Sequence, residues 1–146
     1  MNRLKILVLA STLGGAALSC GGGTGPDLPN IVGSWHATTI QVTNKANSAQ
    51  TTNLITLGVT IQVVLNANLS FTATFSAPGQ APDVSTGTYV QTATTLTLTD
   101  NTASGGEVNA FTYTLSSSTL TLSGGSLDFD FGSGEVPVRL DVTLVH

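Results

Sequence analysis

Along much of the chain beyond residue 54, apolar and polar side chains trade places one for one. Ile55, Leu57, Val59, Ile61, Val63 and Leu65 alternate with Thr56, Gly58, Thr60, Gln62, Val64 and Asn66. A period of two held over Ile55 to Asn66 predicts a strand with one buried face. Asn66-Ala67-Asn68 reads as a turn, after which Leu69, Phe71, Ala73 and Phe75 alternate with Ser70, Thr72, Thr74 and Ser76, so a second strand returns to make a hairpin. The same reasoning predicts strands at Trp35 to Val42, Ser85 to Gln91, Thr95 to Thr99, Ala110 to Leu115, Thr119 to Ser123, Leu127 to Phe131 and Val136 to Val145. Between them stand turn signals: Pro78-Gly79, Ser104-Gly105-Gly106, Ser116-Ser117-Ser118, Gly124-Gly125 and Gly132-Ser133-Gly134. Threonine fills many of the outward positions, which suits a solvated pleated face. No stretch carries a convincing helical period.

Many short antiparallel strands at regular spacing specify an all-β domain, either a barrel or a β-sandwich. Periodicity does not choose between them, although closure into a barrel removes the exposed strand edges that invite aggregation. Residues 31–146 are enough for one self-sufficient core, and one domain is the natural count.

The first residues have a different character. Arg3 and Lys5 precede an uncharged stretch from Ile6 to Leu18 that ends in small residues, the layout of a secretory signal and, at about 13 residues, short for a membrane-spanning helix. It closes with Ala17-Leu18-Ser19-Cys20, which resembles the lipobox of bacterial lipoproteins, with Ala17 where Leu is usual. The resemblance implies cleavage after residue 19, lipidation of Cys20, and a membrane attachment made by acyl chains. Cys20 is the only cysteine, so no intramolecular disulfide can stabilise the exported domain. Residues 20–30, rich in Gly and Pro, read as a tether from anchor to domain. A phosphate-binding loop would need a strand before it and a helix after it. Localisation follows as the cell envelope: the outer membrane if the organism has one, otherwise the outer face of the cytoplasmic membrane.

Removing the signal leaves Lys45 and Arg139 against eight acidic residues, a formal charge of −6. Two basic residues cannot neutralise a run of phosphates, which excludes nucleic acid as a partner, and no basic patch is present to hold anionic lipid. Asp128, Asp130 and Glu135 surround Gly132 and Gly134, yet Gly132 stands where a calcium loop needs its third acidic ligand, so no metal and no cofactor is expected. Catalysis has little to draw on. His36 and His146 are the only histidines, and neither sits in a recognisable triad or zinc spacing. The chain is read as a non-enzyme.

Ile31-Val32-Gly33-Ser34-Trp35 resembles the Gly-x-Trp opening of lipocalins and of bacterial lipocalin-like domains. Gly87-Thr88-Tyr89, Thr95-Leu96-Thr97-Leu98-Thr99-Asp100, Phe111-Thr112-Tyr113-Thr114-Leu115 and Thr119-Leu120-Thr121-Leu122-Ser123 look like the central hairpins of the same domains. The resemblance spans most of residues 31–146 and implies an antiparallel up-and-down barrel of about eight strands, with a β-sandwich as the alternative. It further implies that Trp35 packs at the barrel floor and that His146 takes the place of the Arg that covers this Trp in lipocalins. The candidate pocket lining is Ile55, Leu57, Val59, Ile61, Val63, Leu65, Phe71, Tyr89, Phe111 and Tyr113. Two functions stay open: a barrel that binds a small apolar ligand, and a structural or protein-interaction module with a filled core that displays the loops at Thr43 to Asn53 and Ser76 to Val84. A cavity on the order of 300 Å³ or more would favour the first.

Overall fold

In a computed structural model, residues 27–102 and 106–146 are described. The signal segment, Cys20, the greater part of the tether, and Ser104 and Gly105 of one turn lie outside them. The chain forms β1 (Gly33–Asn44), β2 (Thr51–Asn53), a 3-10 turn (Leu54–Leu57), β3 (Thr60–Leu65), β4 (Ser70–Ser76), β5 (Asp83–Gln91), β6 (Thr95–Asp100), β7 (Glu107–Ser116), β8 (Thr119–Asp130) and β9 (Glu135–Val145). Every pairing is antiparallel. From β3 to β9 each strand pairs with the next in sequence, and β1 pairs with both β3 and β9. Eight strands therefore close into an up-and-down barrel, and the short β2 pairs with the later part of β1.

β1 is the strand on which closure depends. Its first part, Gly33 to His36, pairs with Leu65 to Gln62 of β3. From His36 to Asn44 it pairs with β9, across an irregularity between Ala37 and Thr39. Past His36, β1 and β3 are no longer ladder partners. β2 and the 3-10 turn occupy the gap, with Leu54 buried at its centre.

Three expectations are corrected here. Ile55 to Leu65 is not one strand. Asn53 accepts a hydrogen bond from the Ile55 amide, the chain makes one 3-10 turn, and Gly58 ends it in a left-handed conformation (φ +81°). Ile55 and Leu57 therefore do not belong to the inward row, and Leu57 is 55 % exposed. Second, Gly124-Gly125 is not a turn. β8 runs through it as one strand with a register shift between Ser123 and Gly125, a β-bulge whose extra residue, Gly124, has φ +93°. The predicted strands Thr119 to Ser123 and Leu127 to Phe131 are thus halves of one element. Leu69, placed inward by alternation, is instead an exposed turn residue with φ +64°.

The two ends of the barrel differ. At the floor, where β1 starts and β9 ends, Ile31 and Trp35 are buried and the Trp35 indole N–H donates to the Ile31 carbonyl at 2.8 Å. His146 meets Trp35 edge-to-face, with ring centroids 5.1 Å apart at 83°. The same imidazole explains Gly33: a β-carbon there would lie 2.3 Å from His146 Nε2. The segment before β1 is tied across this end by Gln91, whose side-chain amide donates to the Pro29 carbonyl at 2.8 Å and to the Tyr113 hydroxyl at 2.8 Å. Above the floor, Leu65, Phe71, Tyr89, Leu96, Phe111, Tyr113, Leu120, Leu122 and Leu144 fill the barrel with their own side chains.

Candidate functional site

The opposite end is built from smaller inward residues and is not filled. On the inward faces Ala73 of β4 stands one layer above Phe71, and Ser85 of β5, its cross-strand partner, stands two layers above Tyr89 with only Gly87 between. Ile40 of β1, Ile61 of β3, Phe75 of β4, Leu127 and Phe129 of β8 and Leu140 of β9 surround the space they leave, and Leu54 of the 3-10 turn closes its side. The result is a cavity of about 210 Å³ whose walls are mostly apolar. Its polar groups lie at the rim: Gln80 and Asp83 from the end of the β4–β5 connection, with Ser85 and Thr74 just below. A second, more open hollow of about 280 Å³ adjoins it and shares Leu54, Phe75, Ala77, Gln80 and Phe129 as walls. Asp130 and Glu135 bound that hollow.

Of the expected lining residues, Ile61 alone faces the deeper cavity, while Leu57 and Val59 border the outer hollow. Val63, Leu65, Phe71, Tyr89, Phe111 and Tyr113 are buried in the packed lower half, and Ile55 packs against the core as a partly buried residue. The aromatic hydroxyls there are satisfied by backbone rather than aimed at a ligand: Tyr89 donates to the Asn66 carbonyl at 2.8 Å and Tyr113 to the Thr92 carbonyl at 2.9 Å. Burial raises the Tyr89 pKa above its ordinary value. The apolar cavity walls that sequence reasoning missed, Ile40, Leu54, Ala73, Phe75, Leu127, Phe129 and Leu140 among them, carry one usable signal: small side chains at inward positions of β4 and β5, followed by large ones further along the same strands.

The electrostatics of this end are one-sided. Asp83, Glu107 and Glu135 open their strands here, and Asp100 and Asp130 end theirs. Asp100 lies opposite Glu107 across the β6–β7 ladder. Burial, and then the Asp100 carboxylate, push the Glu107 pKa above its ordinary value. Asp130 Oδ1 accepts from the Gly132 and Gly134 amides at 2.7 and 2.9 Å, so this carboxylate organises the β8–β9 turn. Among the described residues no three His, Cys, Asp or Glu side chains converge as a metal centre would need. The cations lie elsewhere. The Lys45 ammonium bonds the Ser126 hydroxyl at 2.6 Å, and the Arg139 guanidinium pairs with Asp141 at 2.7 Å on the outer face. No basic residue among those described lines either hollow.

A closed antiparallel meander with a packed floor, an opening Gly-x-Trp at that floor and an apolar recess at the other end defines the class of small calyx-shaped barrels. The family model for the lipocalin-like domain matches residues 31–123. The chain belongs to that family. No curated protein matches it.

Proposed function

We propose that this chain is a lipid-anchored, non-enzymatic protein of the cell envelope whose barrel holds one compact apolar molecule in its open half. The observation that carries the reading is the recess of about 210 Å³ above a filled floor, walled by Ile40, Leu54, Ile61, Phe75, Leu127 and Leu140. An apolar cavity of about 150 Å³ is known to take up benzene, so this recess suits a single ring or a short chain. A long acyl chain would have to displace Phe71, Tyr89 or Phe111, which are packed below it. The anchor in this reading is Cys20, and Gly21 following it lacks the inner-membrane retention signal that an Asp supplies in enteric-type bacteria. The outer membrane is therefore the destination proposed where one exists.

Native mass spectrometry of gently purified protein, combined with a calorimetric screen of neutral single-ring compounds, tests the binding reading. A co-purified small molecule, or one-to-one binding of a ring compound that is lost in Ala73→Leu, supports it. Absence of both, with Ala73→Leu folded, overturns it. The second reading, a module that displays its loops to a protein partner, is favoured by the packed lower barrel and by a recess smaller than the roughly 300 Å³ of typical ligand pockets. A filled-barrel variant that keeps its cellular role would decide for it.

A further inference from the structure

The charge around the recess selects among the apolar molecules it can hold. Asp83 stands in the rim of the inner cavity, and Asp130 and Glu135 border the adjoining hollow. Asp100 and Glu107 lie across from one another at the same end of the barrel. Beyond the ladder pairing of their backbones, the side-chain carboxylates of Asp83 and Glu135 have no hydrogen-bond or ion-pair partner among the described residues. Lys45 and Arg139 are engaged on the outer face and line neither hollow. A ligand whose apolar body fills the recess must leave its polar head at this rim, because the walls below supply no charged group. The head then sits at a rim whose Asp83 carboxylate is uncompensated, where opposite charge is attracted and like charge repelled.

Resting on the binding reading above, we infer that the occupant is an organic cation, a compact apolar body carrying an ammonium or similar head, and that carboxylate-headed molecules such as fatty acids are rejected. The inner walls supply the affinity common to all heads. Asp83, with Glu135 further out, supplies the discrimination. The upward displacement of the Glu107 pKa by its neighbour Asp100 is a sign that this end already carries crowded negative charge.

Three probes that share one ring and one three-carbon chain separate the contributions: phenylpropylamine, phenylpropanol and phenylpropanoate. Each is titrated calorimetrically into the purified full chain at neutral pH and low salt. The amine is expected to bind roughly tenfold more tightly than the alcohol, and the carboxylate more weakly than either, with the spread narrowing as salt is raised. In Asp83→Asn combined with Glu135→Gln the gap between amine and alcohol should close, the amine losing most of its tenfold advantage. Equal binding of all three, a preference for the carboxylate, or an amine preference that survives the double substitution overturns the inference but leaves the binding reading standing. Failure of all three to bind overturns both.

Discussion

Substituting Gly125 by alanine tests the internal geometry of the barrel at one methyl group. The bulge in β8 sets Gly125, which is buried, directly under the Phe111 ring. An added β-carbon would lie 2.3 Å from Phe111 Cε1 and 2.8 Å from Cζ. Both distances are well inside van der Waals contact, and the ring, 6 % exposed within the core cluster, has little room to move aside. Overpacking of this kind costs about 1–3 kcal/mol, and the rigidity of the neighbour places Gly125→Ala near the upper end. Phe111→Leu alone removes ring atoms from the same contact and destabilises by about 1–2 kcal/mol. The double variant should lose less than the sum, because the shorter side chain vacates the volume the new methyl needs; a coupling of at least about 1 kcal/mol is expected. Urea denaturation followed through the fluorescence of Trp35 measures all four species, since the only tryptophan is buried at the floor and reports the cooperative loss of the whole barrel. Strict additivity, or a Gly125→Ala midpoint equal to that of the parent, would refute the placement of the bulge beneath Phe111.

Deleting Leu144 to His146 removes a fully buried leucine and the ring that covers Trp35; a loss of several kcal/mol and a red-shifted tryptophan emission are expected, and an unchanged midpoint and emission maximum would count against closure at this end. Glu107 has a raised folded-state pKa, so its contribution to stability is present below the ordinary carboxylate range and is lost as pH rises through the folded value. Glu107→Gln should therefore raise the melting temperature slightly at neutral pH, and the difference from the parent should shrink on acidification; a drop at neutral pH would reverse that sign. The proposed lipidation of Cys20 predicts that Cys20→Ala accumulates as uncleaved precursor or appears as released protein in cell fractionation, because a chain without acyl groups has no hold on the membrane. Unchanged processing and membrane retention in that variant would remove the basis for the anchor.

The strand-by-strand meander was legible because alternation at period two survives wherever one face of a strand is buried, as in Thr95–Asp100 or Glu107–Ser116. Two local features defeated it. A four-residue 3-10 turn is too short to establish a period of its own, so Ile55 and Leu57 continued the alternation of β3; the Asn53 cap before them and Gly58 after them were the signal available. Gly124-Gly125 has the composition of a turn and of a bulge alike, and only the partners of β8 on both sides separate the two. The recess was less legible than the fold. Whether an inward row fills a barrel depends on what faces it from the other strands. Phe71 and Tyr89 meet large partners, while Ala73 and Ser85 face space that no side chain reaches. Charge at the open end was visible as composition but not as place, since Asp83, Asp100, Glu107, Asp130 and Glu135 come together only through the up-and-down topology.

The way the chain enters the barrel also decides how the molecule bears a pull. Tension carried by the segment before Asp27 is met first by the Gln91 tie to Pro29 and by Ile31 locked against the Trp35 indole. It then runs into β1 along that strand's own axis. β1 is bonded to β3 at its start and to β9 over the rest of its length, so the load is shared by ladder bonds sheared together rather than opened one after another. The strand that takes this load is also the seam that closes the barrel. Under tension the domain should hold its shape until β1 slips and then yield abruptly, with a lifetime set by the rate of that single event rather than by equilibrium stability.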